Sequence, residues 1–106
     1  MFKKNLYITR GIDESIPKEV INLLWSLLHE HEGKRELDYL QVFVLKTLQT
    51  KSGKSLLIKW TQEQPAYSLD IYFPNITTDL DTKVWVICSG EGTEEEYSTM
   101  LLPEEY

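Results

Sequence analysis

An α+β domain, a mainly antiparallel curved sheet of five to six strands packed by one helix, is the fold class this sequence predicts, and three observations predict it. β-prone apolar runs recur at residues 6–9, 37–47, 55–60, 67–73, 83–88 and 97–102. Only one stretch, residues 17–32, repeats its apolar side chains with a helical period. The connections are short, so the order β-α-β-β-β-β-β folds by pairing sequence neighbours antiparallel. Whether the sheet stays open or curls toward a barrel is left open by two strands that are apolar on both faces.

Each element has a local cause. Leu6, Tyr7 and Ile8 form a short strand ended by Arg10-Gly11. Asp13, Glu14 and Ser15 offer capping oxygens to a helix that opens at Pro17, where a missing N–H costs nothing. Val20, Ile21, Leu23, Leu24, Trp25, Leu27 and Leu28 make its apolar face; Lys18, Asn22, Ser26 and His29 make the wet one. Gly33 suits the position just past the helix end. The central strand then carries Leu40, Val42, Val44 and Leu48 on one face and Tyr39, Phe43 and Leu45 on the other, which implies cover on both sides. A loop at 50–53 turns it into a return strand with Leu56, Ile58 and Trp60 on one face. Gln64-Pro65 breaks that strand. Tyr67, Leu69, Ile71 and Phe73 next alternate with Ser68, Asp70 and Tyr72, the pattern of a half-buried strand. Residues 83–88 are apolar on both faces, and residues 97–102 form a last strand stopped by Pro103.

At 106 residues the chain is a single domain spanning 1–106, large enough for a core without disulfides. The lone Cys88 fits a reducing compartment, no secretory leader or membrane-length apolar run is visible, and a cytoplasmic location is expected. The net charge of −6 is unevenly spread. Residues 1–60 hold ten Lys/Arg against seven Asp/Glu, whereas residues 61–106 hold Lys83 alone against ten acids. That balance argues against direct nucleic-acid binding and permits a basic protein partner or self-association of oppositely charged faces.

Motifs with chemical potential are few. Gly53-Lys54-Ser55 resembles the end of a phosphate loop, but Leu48 stands where the leading glycine belongs, so a hairpin turn is the better reading. His29 and His31 lie two apart on a helix and point roughly 200° apart, which bars a shared metal ion. Cys88 reads as a core residue, and Glu94-Glu95-Glu96 as a solvated turn. No catalytic, cofactor-binding or metal-ligating set emerges; no cofactor is expected, and an enzyme is the less favoured reading.

Residues 8–12 (Ile-Thr-Arg-Gly-Ile), 37–43 (Leu-Asp-Tyr-Leu-Gln-Val-Phe), 62–65 (Gln-Glu-Gln-Pro) and 98–106 (Ser-Thr-Met-Leu-Leu-Pro-Glu-Glu-Tyr) together resemble a domain-of-unknown-function family, DUF960, of Gram-positive bacteria and their phages. The resemblance runs in order along nearly the whole chain. It implies a compact stand-alone protein and carries no activity and no catalytic residue. Arg10, Asp38, Gln41, Gln64, Glu104 and Tyr106 sit at strand ends and interruptions, and with the exposed Tyr97 they form the candidate interaction patch. An ion pair of Arg10 with Asp38 or a C-terminal glutamate is the structural reading of the same residues. The expected function is protein binding without catalysis, by a small interaction module of bacterial or prophage origin, with a homodimer through a sheet edge as one possible assembly. The alternatives are an acidic inhibitor that mimics nucleic acid, and an enzyme or ligand binder with a novel site.

Overall fold

In a computed structural model, which describes all of residues 1–106, six strands form one sheet. The elements are β1 (Leu6–Ile8), α1 (Arg10–Ser15), α2 (Lys18–His31), β2 (Leu40–Thr50), β3 (Gly53–Glu63), β4 (Ala66–Pro74), β5 (Asp81–Ser89) and β6 (Tyr97–Leu101), followed by a 3₁₀ turn, Pro103–Glu105. The spatial order is β1-β6-β5-β2-β3-β4, with every pair antiparallel except β1 with β6. The sheet is therefore open, with β1 and β4 as its edges and the last strand in its interior.

Two elements differ from the sequence reading. Residues 10–15, where the sequence predicts the end of the first strand at 10–11 and capping oxygens at 13–15, form a helix of their own, whose N-cap is Thr9: its hydroxyl accepts from the Ile12 N–H. The hairpin between β2 and β3 is also tighter than expected, since Thr50 pairs directly with Gly53. Gly53, at φ +128°, adopts a backbone that a Cβ would disfavour. α2 ends as expected at Gly33, which takes φ +88°.

The core lies on one face of the sheet only. Val20, Ile21, Leu24, Trp25, Leu27 and Leu28 of α2 join Phe43 and Leu45 of β2, Leu56, Ile58 and Trp60 of β3, Val84, Val86 and Cys88 of β5, and Met100 of β6 in one buried cluster. Ile12 of α1, Ile16 just after it, Phe2, Leu37 and Leu80 complete it. A helix of 14 residues is about 21 Å long, whereas strands of 11 residues reach about 36 Å, so α2 cannot cover β2 and β3 to their tips. The segment after β4 covers part of the remainder. Thr47 holds it there: its N–H donates to the Leu80 carbonyl, and its hydroxyl accepts from the Leu80 N–H and donates to the Thr78 carbonyl. Leu80 is buried as a result. The sequence implied cover on both sides of β2, but no helix packs over β2 on the second side, where only the C-terminal turn folds back, onto Trp85 of β5.

Candidate functional site

The uncovered face is built by strand alternation. On β2 the odd residues Gln41, Phe43 and Leu45 are buried, and the even residues Leu40, Val42 and Val44 are only half-buried. Register carries that second set across the sheet. Leu40 pairs with Ile87, Val42 with Trp85 and Thr61, and Val44 with Lys83 and Lys59. Leu57 lies between Lys46 and Tyr72. An apolar stripe of Leu40, Val42, Val44, Leu57, Trp85 and Ile87 thus crosses three strands without a helix above it.

Aromatic rings border this stripe. Trp85 pairs with Leu101, and the chain then turns back so that the Tyr106 ring meets the Trp85 ring edge-on, centroids 5.9 Å apart. Tyr97 meets Tyr7 in a T-shaped pair at 6.1 Å. Tyr7, Tyr72, Tyr97 and Tyr106 are 55, 63, 43 and 84% exposed, so four of the six tyrosines stand at this face with most of their hydrogen-bonding capacity free. Its charges are mixed: Lys46, Lys59 and Lys83 share the face with Glu63, Asp70 and Asp81.

Tyr106 is placed by a carboxylate that the sequence reading passed over. Glu105, not Glu104, is the anchor. Its Oε1 accepts from the Thr9 hydroxyl at 2.6 Å and the Leu102 N–H at 2.8 Å, and its Oε2 accepts from the Gly11 N–H at 3.1 Å. The Thr9 hydroxyl first, then the Leu102 and Gly11 N–H groups, hold this carboxyl below the usual carboxylate range. A Cβ on Gly11 would stand 2.6 Å from Oε2, so the close approach requires glycine there. Glu104 is exposed and makes no such bond.

The residues of the sequence-derived patch fall into three places. Asp38, Gln41 and Gln64 are together: the Asp38 carboxylate accepts from the Gln64 N–H at 3.1 Å and the Tyr39 N–H at 2.8 Å, and Gln41 Nε2 donates to the Asp38 carbonyl at 2.7 Å. Gln41, fully buried, also accepts from Trp60 Nε1–H at 2.5 Å and donates to Gln62 Oε1 at 2.9 Å. Gln62 Nε2 donates to the Glu36 and Pro65 carbonyls, so all four amide N–H groups of the two glutamines are used. With their N–H groups all used, Gln41 and Gln62 fix the strand ends and have no donor left for a ligand. Arg35 closes it outside, 3.7 Å above the Tyr67 ring. Arg10 lies elsewhere. Register sets β1 three strands from β2, about 14 Å across the sheet, and Arg10 pairs with Glu14 at 2.8 Å rather than with Asp38 or a C-terminal glutamate. Tyr97 and Tyr106 alone of the patch reach the open face.

The remaining candidates resolve as structural groups. His29 Nε2–H donates to the Phe2 carbonyl at 2.6 Å and His31 Nδ1–H to the Leu27 carbonyl at 2.9 Å, so the two imidazoles face different partners. His31 also meets Trp60 edge-on. No group of three or more His, Cys, Asp or Glu is placed to hold a metal ion. Cys88 is buried, and that burial pushes its thiol above its ordinary value, away from nucleophilic character. The acidic triplet is split: Glu94 and Glu95 are exposed, while Glu96 turns inward to accept from the Gly92 N–H. The acidic half does not form one surface either, since Asp79 pairs with Lys54 and Glu105 bonds to Thr9.

No helix is long and apolar enough to cross a membrane. No curated protein matches the chain. Among solved structures it is similar to a crystal structure of a protein of unknown function from Enterococcus faecalis, at TM-score 0.77 and 21% identity over 99% of this chain and 94% of that one; at that identity the match shows the fold. A family model described as a staphylococcal protein of unknown function, DUF960, matches residues 5–105, and the chain belongs to that family.

Proposed function

We propose that this protein is a non-catalytic interaction module that binds a protein partner on the open face of its sheet. The observation that carries this reading is the half-exposed stripe Leu40, Val42, Val44, Leu57, Trp85 and Ile87 with Tyr7, Tyr72, Tyr97 and Tyr106 around it. Apolar centres rimmed by tyrosine and tryptophan are the composition of protein-binding patches, because such rings bury large area at low entropic cost. The balanced lysines and carboxylates of the face suit an amphipathic protein surface of mixed charge better than a phosphate backbone or a strongly basic partner. The dispersed carboxylates give little support to nucleic-acid mimicry, which needs them in rows.

The test is a photo-crosslinking amino acid placed at position 42 on the open face, and in a second protein at position 26 on the exposed side of α2. In cells of a staphylococcal host the position-42 protein is expected to trap one discrete partner that the position-26 protein does not. Equal trapping from both positions, or none from position 42, would refute the reading.

A further inference from the structure

The two sheet edges are not alike. β1 is three residues long and offers an incoming strand almost nothing. β4 runs for nine residues, carries one charge, Asp70, and no lysine, and leaves Tyr72 and Phe73 exposed. Stable monomers normally blunt such an edge with charge, bulges or short length. β4 lacks all three.

The direction of its free backbone groups follows from the ladders. The Cys88 N–H donates to the Tyr39 carbonyl and the Thr47 N–H to the Leu80 carbonyl, so the odd residues of β2 bond to β5 and its even residues to β3. Continuing the alternation, the even residues of β3 bond to β4, consistent with the Ile76 N–H donating to the Lys54 carbonyl. Ser68, Asp70 and Tyr72 of β4 then aim their N–H and C=O groups away from the sheet.

We infer that β4 is a self-association edge at which a second copy of this chain pairs antiparallel about a two-fold axis at Ile71, continuing the sheet across both molecules. This register matches outward groups to outward groups: Asp70 faces the partner's Tyr72 and can exchange both bonds, and Ser68 faces the partner's Pro74, which has no N–H and only accepts. Ile71 meets its own copy, and Leu69 meets the partner's Phe73, so the apolar margin left at the edge of each core is covered. Leu69 and Ile71 are only partly buried against that core in one copy. Shifting the axis by one residue to Asp70 would set two carboxylates opposite one another, which cross-strand pairing disfavours. The axis at Ile71 places the residue in a non-hydrogen-bonded pair, about 4.5 Å between Cα atoms, within disulfide range. The inference is independent of the open-face reading and predicts two open faces side by side in the assembly.

Sedimentation and an oxidative crosslink test it together. The wild type is expected at about twice 12.4 kDa in the micromolar range, and Phe73→Glu, checked for its fold by circular dichroism, is expected to weaken association at least about tenfold. Ile71→Cys is expected to crosslink quantitatively into dimers on mild oxidation. Tyr67→Cys, about 26 Å from its own copy in this register, is not. A monomer at every concentration up to about 200 μM would overturn the inference, that range covering the weak end of specific self-association. So would a dimer that neither responds to Phe73→Glu nor crosslinks through position 71.

Discussion

At the scale of single residues, the side chains that fix this molecule are polar ones with every bond made. Gln41 is the clearest: its carbonyl oxygen accepts the indole proton of the buried Trp60, and its amide serves Asp38 and Gln62. Gln41→Leu leaves that indole N–H without a partner and takes one donor from Gln62 Oε1, and should cost roughly 1–3 kcal/mol in chemical denaturation. Glu105 makes a pH-dependent contribution. Its folded-state pKa is lowered, so its stabilising bonds are present above the ordinary carboxylate value and are lost as pH falls through the depressed one. Tyr106 should therefore leave Trp85 on acidification, seen as a change in indole fluorescence at a pH below the ordinary carboxylate range. Glu105→Gln should show the detached signal at neutral pH. A pH titration identical in wild type and variant would contradict the clamp. None of this was legible locally. Glu105 lies 94 and 96 positions from Gly11 and Thr9, and nothing in Pro-Glu-Glu-Tyr distinguishes it from Glu104.

At the scale of elements, hydrophobic periodicity carried most of the fold. α2, with its broad apolar stripe and Gly33 stop, and β4, with its clean alternation, lie within two residues of where the pattern places them. The sequence hides α1 because Asp13, Glu14 and Ser15 imitate a cap, while the true cap, Thr9, has Gly11 two positions on, which argues against a helix. The two-sided pattern of β2 was legible, yet its meaning was not. Alternation shows which residues share a face but not which face is covered. The structure separates them, and a paired substitution checks it: Val44→Glu, which would lie between Lys59 and Lys83, should change stability by less than about 1 kcal/mol, whereas Leu45→Glu, which buries a charge in the core, should prevent folding. Thr47→Val tests the brace of the following segment. It removes the acceptor for the Leu80 N–H, so hydrogen exchange at residue 80 should accelerate while that at Val84 and Val86 does not.

At the scale of the whole molecule, the design is a sheet finished on one side. α1 and α2 complete a core of twenty buried residues beneath it, and the opposite face is left with a tryptophan, four tyrosines and an aliphatic stripe. The polar patch suggested by the sequence does not act as one unit here, because Asp38, Gln41 and Gln64 bond among themselves while Arg10 bonds to Glu14. Only Tyr97 and Tyr106 survive from it as open-face residues, and their neighbours Tyr7 and Trp85 come from strands distant in sequence. The face is a product of register, which the sequence does not display. Photo-crosslinking from position 42, set against position 26, tests its role most directly. A single partner trapped only from position 42 is the predicted result; trapping from position 26 alike, or none from position 42, would contradict the claim that this face is where the protein acts.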